Sequence, residues 1–237
     1  MGLGIEVVVA KTNKYASRES GDTAELVERP AGGLSVIMAD GQGSGRAAKS
    51  LSLLVTSKAV ALIKEGVRDG AVARGVHDYL FAYRHGQVSA TLDILSVDLR
   101  SDTIVVTRNA TAPMLLGRNG CYEVIAGGSG PIGLYHLTRP TVTQLPLEAG
   151  LRVVLCTDGV AASGVRAGRP EFDLAAFAAE AFPDDFGAAA IADRLLEEVV
   201  RRDDDRPGDD VTVVALALLP HQDTLLVRRQ LATVPLP

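Results

Sequence analysis

The sequence predicts an α+β protein whose sheets are covered by helices. Short apolar, β-branched runs separated by glycine and proline recur through most of the 237 residues, as expected for strands joined by turns. Longer helical patterns occur in only two places, one before and one after the main run of strands. Strands in series with helices on both sides favour covered sheets over a parallel sheet in which strands and helices alternate.

Nine segments have the composition and the flanking turn residues of β-strands. They are residues 5–10, 23–28, 34–39, 89–99, 103–108, 114–117, 122–125, 151–156 and 211–219. Strands are therefore predicted to be the main element of the chain.

Two regions carry the three-to-four-residue apolar spacing of amphipathic helices. The first begins with a helix over residues 46–65, which Gly66 is placed to end, and continues with a second helix around residues 72–83. The later region comprises residues 172–181 and 186–200. Two helices are thus predicted before the central strands and two after them.

The composition excludes several classes of function. Lys and Arg number 24 against 29 Asp and Glu, which gives a net charge of −5, so no basic field exists to bind nucleic acid or anionic lipid. No apolar run approaches the roughly 18 residues of a membrane span, and the first residues lack the basic-then-apolar pattern of a signal peptide. We therefore expect a cytoplasmic protein that neither binds nucleic acid nor spans a membrane.

No internal repeat or long linker divides the chain. We predict one domain over residues 1–219, followed by a C-terminal strand or tail over residues 220–237. Cys121 and Cys156 lie in apolar, strand-like runs without CxxC spacing, which favours reduced thiols in the core over a disulfide or a zinc site.

The positions of the aspartates are the most informative feature of the sequence. Asp40 and Asp158 are each followed by glycine and come directly after an apolar run, so both are expected at the end of a buried strand. Asp209 and Asp210 stand directly before the predicted strand at 211–219. If that strand runs antiparallel to the other two, all of these acids reach the same edge of the sheet.

Asp22 joins them through the register of a predicted hairpin. Residues 30–33 have a turn composition, and a hairpin folded about residues 31 and 32 places position 22 opposite position 40 or 41. Taken singly, each Asp-Gly pair could be no more than a turn. Together, the carboxylates would raise one another's pKa unless a cation neutralised them. Oxygen ligands without nearby His or Cys select Mg²⁺ or Mn²⁺ over Zn²⁺.

Six motifs occur in an order and at a spacing that resemble those of a known family. They are Glu19-Ser-Gly-Asp22, Ala39-Asp40-Gly-Gln-Gly-Ser-Gly45, Ser89-Ala-Thr91, Asn109-Ala-Thr-Ala-Pro113, Thr157-Asp-Gly159 and Gly208-Asp-Asp-Val-Thr212. Over residues 5–219 the chain resembles the bacterial metal-dependent protein phosphatases of the PPM group, in the SpoIIE-like branch. Within that branch it is most similar to the stand-alone RsbX type.

The resemblance implies a four-layer αββα sandwich, in which two mainly antiparallel sheets lie between helices and hold two Mn²⁺ or Mg²⁺ ions at one edge. Asp40 would bridge the two ions, and the carbonyl of Gly41 would ligate one of them. Asp158 and Asp209 would hold the second ion, while Asp22 would reach the first through water. The resemblance makes Asp40, Asp158 and Asp209 the catalytic candidates.

Two further residues receive roles from the same resemblance. Asp210 would orient its neighbour from outside the ligand set. Arg18 is a candidate for binding the substrate phosphate, although it is out of register with the phosphate-binding arginine of eukaryotic relatives. The general acid is left open, since a metal-bound water could serve, and among the four histidines His85 is the candidate for this role.

The function that the resemblance implies is hydrolysis of phosphoserine or phosphothreonine in a protein by a metal-activated water. The implied substrate is a STAS-domain regulator or a stressosome-type protein of the partner-switching pathways that control sigma factors and the stress response. The alternative is a catalytically inactive scaffold that binds a signalling partner. The intact set of acids argues against that alternative.

Overall fold

The computed structural model describes residues 2–183, 186–221 and 228–234. Within these ranges the strands are β1 (Gly2–Thr12), β2 (Asp22–Glu28), β3 (Gly33–Asp40), β4 (Leu92–Asp98), β5 (Thr103–Asn109), β6 (Met114–Arg118), β7 (Cys121–Ile125), β8 (Thr141–Pro146), β9 (Leu151–Cys156) and β10 (Val211–His221). The helices are α1 (Gly45–Lys64), α2 (Asp69–Arg84), α3 (Asp158–Ala162), α4 (Leu174–Ala181) and α5 (Ala188–Arg202).

The strands form two five-stranded sheets in which all neighbours are antiparallel. Sheet I has the order β1-β10-β9-β6-β7, and sheet II has the order β2-β3-β4-β5-β8. Sheet II is built largely from strands that are consecutive in the chain, whereas sheet I pairs the first strand with the last. The acids predicted to lie together come from both sheets, so the packing of one sheet on the other decides whether they meet.

Alternating side chains place the two sheets face to face, with helices on the outer faces. On β3, Val36 and Met38 belong to the apolar core between the sheets, whereas Ile37 and Ala39 pack with α1 and α2. A third apolar core lies between sheet I and helices α3–α5. The order of layers is therefore helices, sheet II, sheet I and helices, which is the predicted four-layer αββα sandwich.

Helix α1 is held against sheet II by one apolar face. Leu51, Val55, Ala59 and Ile63 recur at four-residue intervals and all are buried, which is the pattern of a helix with one core-facing stripe. The helix ends at Lys64 and is capped by Glu65, and Gly66 follows with a left-handed φ of +82°, a conformation that favours glycine. Because α1 begins a few residues after β3 ends, this packing also fixes the loop that follows the strand.

The prediction of an α+β fold with two sheets flanked by helices is confirmed, and each of the nine predicted strands is present in the described residues. Strand β8 was not predicted, because it is an edge strand in which Leu145 is the buried residue and most others are exposed. Its composition of Thr, Gln and Pro therefore lacks a clear apolar alternation. Helix α3 was also missed, since five residues are too few to show a helical period.

The two cysteines lie in different environments, and both are free. Cys156 is buried in β9, as predicted. The prediction of a core thiol is wrong for Cys121, which is exposed at the start of β7. The reason is that β7 is an edge strand of sheet I and presents part of its apolar composition to solvent.

Strand β10 continues through Pro220 and His221, past the predicted end of the domain at residue 219. Residues 228–234 form neither helix nor strand, and residues 222–227 and 235–237 lie outside the described ranges. The division into a domain over 1–219 and a tail over 220–237 stays a prediction. None of the helices in the described part of the chain is long and apolar enough to cross a membrane.

Candidate metal centre

The hairpin of β2 and β3 places Asp22 directly opposite Asp40. Asp22 is the first residue of β2, Asp40 is the last residue of β3, and the two are partners in the antiparallel register. The turn closes where the amide of Arg29 donates to the carbonyl of Gly33 at 3.1 Å. Gly33 has a φ of +90°, and a Cβ there would lie 2.0 Å from the carbonyl oxygen of Val97. The pairing predicted from the Pro-Ala-Gly-Gly turn is thus the one observed.

Sheet I supplies the remaining acids from the ends of two neighbouring strands. Asp158 begins α3 directly after β9, and Asp209 and Asp210 come directly before β10. The two strands are antiparallel, with Cys156 opposite Val213. The end of β9 and the start of β10 therefore lie side by side, as an antiparallel pair requires.

The acids from both sheets line one cavity of about 200 Å³. Its lining residues are Asp22, Asp40, Gly41, Gln42, Gly43, Asp158, Asp209 and Asp210. Every acid that the sequence analysis proposed as a ligand or as a neighbour of a ligand is in this set. The structure thus brings together side chains that are up to 188 positions apart in the chain, from position 22 to position 210.

Asp22 is tied to sheet I by two threonine hydroxyls. Its Oδ2 accepts a hydrogen bond from Thr157 Oγ1 at 3.0 Å and another from Thr212 Oγ1 at 2.7 Å. The amide of Thr212 also donates to Thr157 Oγ1 at 2.9 Å. These contacts cross from one sheet to the other and fix the carboxylate in place. The threonines lie in the Thr-Asp-Gly and Asp-Asp-Val-Thr motifs, but the sequence analysis gave them no role.

Asp210 uses both carboxylate oxygens to hold the loop between β1 and β2. Oδ1 accepts from the amide of Lys14 at 2.8 Å, and Oδ2 accepts from the amide of Gly21 at 2.7 Å. A carboxylate that accepts two backbone amides is engaged in positioning them. Asp210 thus holds the β1–β2 loop in place, and its predicted role in orienting its neighbour stays a prediction.

The carboxylates raise one another's pKa. Partial burial, followed by the negative charges of Asp22, Asp158 and Asp209, raises the pKa of Asp40 to about 8. Burial is also the main cause that raises the pKa of Asp22, against the two threonine hydrogen bonds that lower it. The pKa of Asp158 is raised by partial desolvation and by the charge of Asp209. Without a counter-ion, the cavity therefore disfavours the charged state of its own acids.

Two lysines bind the backbone carbonyl of Asp22 and not its carboxylate, and the charge of Lys11 lowers the pKa of Asp22 less than burial raises it. Lys49 Nζ donates to the backbone carbonyl of Asp22 at 2.8 Å and to Thr23 Oγ1 at 2.9 Å. Lys11 Nζ donates to the same carbonyl at 3.0 Å. Burial, followed by the charge of Lys49, lowers the pKa of Lys11. Both ammonium groups thus fix the backbone at the start of β2 and leave the carboxylate facing the cavity.

Glycine is required at the two Asp-Gly pairs by close backbone contact. A Cβ on Gly41 would lie 2.2 Å from the carbonyl oxygen of Ala48 in α1. A Cβ on Gly159 would lie 2.2 Å from the carbonyl oxygen of Asp210. Both distances are well inside van der Waals contact, so a side chain would push the neighbouring backbone away from the cavity.

The donor set of the cavity fits hard divalent cations. Its side-chain ligands are carboxylates and the amide of Gln42, with no His or Cys among its lining residues, and oxygen donors of this kind suit Mg²⁺ and Mn²⁺. Across the described ranges, no three His, Cys, Asp or Glu side chains are already arranged as the ligands of a single ion. The raised pKa values of Asp22, Asp40 and Asp158 are the property that a bound cation would reverse.

Arg18 and His85 are not brought to the cavity. Arg18 is exposed in the loop between β1 and β2, where its backbone carbonyl accepts from Asn13 Nδ2 at 3.4 Å. His85 is exposed at the end of α2 with a left-handed φ of 53°. Neither is among the lining residues. The structure thus supports neither phosphate binding by Arg18 nor proton transfer by His85.

Comparison with known proteins gives one family. A family model described as Stage II sporulation protein E (SpoIIE) matches residues 30–219. Stage II sporulation protein E from Priestia megaterium is 22% identical over 214 residues, which are 90% of this chain and 36% of that protein. The Bacillus subtilis (strain 168) protein is 22% identical over 199 residues, or 84% of this chain and 24% of that protein. The chain spans between a quarter and about a third of the length of these relatives.

Solved phosphatase structures share the fold. The PP2C phosphatase domain of SpoIIE from Bacillus subtilis, with a fragment of its regulatory domain, has a TM-score of 0.79 at 20% identity and covers 93% of this chain and 65% of that one. RsbX in complex with magnesium has a TM-score of 0.67 at 16% identity, covering 90% and 95%. The catalytic domain of PstP in complex with two manganese ions has a TM-score of 0.69 at 19% identity, covering 92% and 100%.

The family match covers most of the chain and includes all the lining acids except Asp22. The fold that the chain shares with the solved phosphatase structures confirms the αββα sandwich. With the motifs, the register and the fold in agreement, the chain belongs to the SpoIIE family.

Proposed function

We propose that this chain is a metal-dependent protein serine/threonine phosphatase. The observation that carries the proposal is the convergence of Asp22, Asp40, Asp158 and Asp209 on one cavity, where burial and mutual repulsion raise the pKa of Asp40 to about 8. Such a cluster is stable in its charged form only with cations bound. Divalent cations held by carboxylates are a common means of hydrolysing phosphate esters.

Two Mn²⁺ or Mg²⁺ ions are the cofactors of this proposal. Asp40 would bridge them, the Gly41 carbonyl would complete one site, and Asp158 and Asp209 would hold the other. Asp22 would act on the first ion through water. When bound, the pair lowers the pKa of a water nucleophile and neutralises charge on the phosphoryl oxygens. The magnesium in the RsbX structure and the two manganese ions in the PstP structure support this choice of ions.

The residues of this chain then act by orientation. Thr157 and Thr212 hold the Asp22 carboxylate at 3.0 and 2.7 Å, and Asp210 fixes the β1–β2 loop through two amides. Lys14 belongs to that loop, and its half-exposed ammonium lies 4.0 Å from Asp209 Oδ1. Asp209 lines the cavity, and we propose that Lys14, beside it, contacts the phosphate group of a substrate, a role for which the sequence analysis considered Arg18.

A covalent phosphocysteine route is disfavoured by the environment of the thiols. Burial raises the pKa of the Cys156 thiol to about 12, so this thiol stays protonated and unreactive near neutral pH. Cys121 is exposed in β7 and is not among the residues that line the cavity. Attack by water is therefore the reaction that this cavity favours.

The substrate that we propose is a phosphorylated STAS-domain or stressosome-type regulator, and the site of action is the cytoplasm. The support is the membership of the SpoIIE family together with the fold shared with RsbX. The net charge of −5 also disfavours a nucleic-acid substrate.

The test is hydrolysis of p-nitrophenyl phosphate with Mn²⁺, with Mn²⁺ plus EDTA, and with the Asp40→Asn variant. We expect activity that EDTA abolishes and that Asp40→Asn lowers by at least about a hundredfold. Asp193→Asn, on the exposed face of α5, is the matched control and should retain full activity. Activity that persists in EDTA would refute the role of metal ions, and no activity in the folded wild-type protein with Mn²⁺ would favour the inactive scaffold.

A further inference from the structure

The loop between β7 and β8 presents large apolar side chains to solvent from a backbone that is firmly held. Tyr135 is 69% exposed and Leu137 is 85% exposed. Leucine is among the residues most often buried in folded proteins, and tyrosine is intermediate. Neither side chain packs in one of the three apolar cores, so core packing does not account for their presence in the loop.

Asn109 anchors both ends of this loop. Its Nδ2 lies 2.8 Å from Ser129 Oγ, 3.1 Å from the carbonyl oxygen of Gly130 and 2.7 Å from Thr138 Oγ1, and its two protons are shared among these three acceptors. The middle of the loop is held as well, because the amide of Gly133 donates to His77 Nδ1 at 3.2 Å. The exposed side chains therefore stand on a fixed backbone, which lowers the entropy lost when a partner binds them.

The same loop is connected to the wall of the metal cavity. Ile132 and Ala90 exchange two backbone hydrogen bonds of 2.9 and 3.2 Å, and Ala90 also forms a β-bridge with Gly41. The neighbouring Ser89 exchanges hydrogen bonds with Gln42. Gly41 and Gln42 line the cavity, so Ala90 links Ile132 of the loop to the cavity wall.

The end of α2 extends this surface. The rings of Phe81 and His136 have centroids 4.9 Å apart, which places the helix end against the loop. Arg84 is exposed and lies three residues after Phe81, on the same side of the helix. We name Arg84, Tyr135, Leu137 and Arg139 the rim patch.

The charge of the rim patch is opposite to that of the protein as a whole. The chain carries a net charge of −5, yet residues 80–92 and 124–147 contain no Asp or Glu at all. Their charged residues are Arg84 and Arg139, with His85 and His136 between them. A surface that combines fixed aromatic and aliphatic side chains with arginine has the composition of a protein-binding site. Its charge suits an acidic partner.

We propose that the rim patch docks the phosphoprotein substrate through an acidic segment that also carries an apolar residue. The inference rests on the proposed phosphatase function and adds the means by which that site selects its substrate. An acidic partner is otherwise repelled by a negatively charged protein, so a basic surface beside the cavity supplies the attraction that the rest of the molecule lacks.

The experiment measures how fast the full chain, supplied with Mn²⁺, hydrolyses three substrates. They are p-nitrophenyl phosphate, a phosphoserine peptide flanked by Leu, Asp and Glu, and the same peptide with each acid replaced by Lys. We expect the wild-type protein to prefer the acidic peptide in kcat/KM. The double variant Leu137→Ser/Arg139→Glu should lower that value roughly tenfold and leave p-nitrophenyl phosphate hydrolysis within about twofold, since the small substrate makes no contact with the patch.

Two controls separate docking from other effects. Arg194→Glu makes the same charge change on the exposed side of α5 and should alter none of the three rates. Leu137→Met keeps the apolar contact and should retain the preference. Equal loss of activity on all three substrates in the double variant would show that the patch shapes the cavity instead, and a wild-type protein without preference would overturn the proposal.

Binding of the peptide without its phosphate distinguishes this inference from the proposed function. Fluorescence anisotropy of a labelled acidic peptide should show weaker binding to the double variant, whatever the catalytic activity. If wild-type protein with Mn²⁺ does not hydrolyse p-nitrophenyl phosphate, the proposed function fails while this measurement still tests the patch. Patch-dependent binding to phosphatidylglycerol vesicles without binding to the peptide would assign the surface to a membrane and refute the proposal.

Discussion

Replacing Asp40 by asparagine should stabilise the metal-free protein while removing its response to metal. The side chain keeps its size, but the charge that opposes Asp22, Asp158 and Asp209 is lost. The change therefore separates the effect of the carboxylate on the stability of the metal-free fold from its effect on metal binding. A residue that destabilises its own fold and is retained is expected at a functional position.

The sign and the window follow from the pKa of Asp40. Burial and the neighbouring carboxylates raise this pKa from 3.8 to about 8 in the folded protein. The folded state therefore holds a proton that the unfolded state releases between pH ~4 and ~8, and the stability of metal-free wild type falls as the pH rises through this window. The raised pKa values of Asp22 and Asp158 act in the same direction.

The magnitude has an upper limit and a more realistic value. One pKa unit corresponds to ~1.36 kcal/mol, so the shift of Asp40 from 3.8 to about 8 sets a limit of roughly 5–6 kcal/mol. Asp40 is only half-buried, and solvent screening reduces such effects near the surface. We expect Asp40→Asn to raise the free energy of unfolding by about 2 kcal/mol at pH 8 and by about 1 kcal/mol or less near pH 4.5.

Urea denaturation in EDTA at several pH values measures this difference, with Asp193→Asn as the control that should show none. Adding Mn²⁺ should reverse the order, because a ligand at about a hundred times its Kd stabilises the folded state by ~2.7 kcal/mol and the variant lacks the carboxylate that we propose as a shared ligand. The reasoning would be refuted if the metal-free variant were no more stable than wild type at pH 8. It would also be refuted if the variant's gain in free energy of unfolding were as large at pH 4.5 as at pH 8.

Two further predictions concern the supports of the cavity. Thr212→Val removes the 2.7 Å hydrogen bond to Asp22. It should weaken Mn²⁺ binding in calorimetry and lower the free energy of unfolding by about 1.5–3 kcal/mol. Thr107 is the control, because its buried hydroxyl has no partner among the described residues, and Thr107→Val should change neither quantity. Gly41→Ala would place a Cβ 2.2 Å from the Ala48 carbonyl oxygen and should destabilise the protein by at least about 2 kcal/mol in urea denaturation. Gly130→Ala meets no described atom within 4 Å and should be tolerated, so equal effects of the two glycine changes would contradict the steric argument.

The local features of the site could be predicted from the sequence because they depend on short-range rules. The turn composition at residues 30–33 fixes the register of β2 and β3, and this register alone places Asp22 opposite Asp40. The apolar runs before Asp158 and after Asp210 likewise identify strand ends. Each of these inferences uses residues that are neighbours in one hairpin or one strand.

Features that depend on the packing of one sheet against the other could not be predicted from the sequence. The hydrogen bonds from Thr157 and Thr212 to Asp22 join sheet I to sheet II, and no periodicity in either strand indicates the partner. The same limit explains Lys14, whose position beside Asp209 depends on how Asp210 holds the β1–β2 loop. Arg18 is close to Lys14 in sequence but is directed by that loop to an exposed position.

The position of the acids at the seam between two sheets explains how the fold tolerates them. The apolar core between the sheets is continuous away from the cavity, so the repulsion among the carboxylates acts only at one edge. Asp22 is the carboxylate that spans the seam, because it starts a strand of sheet II and accepts hydrogen bonds from Thr157, which follows β9, and from Thr212 in β10 of sheet I. A cation shared by Asp40 of sheet II and Asp158, which begins α3 after β9, would join the same two edges. Metal binding and the packing of the sheets should therefore stabilise each other, since each brings the same carboxylates together.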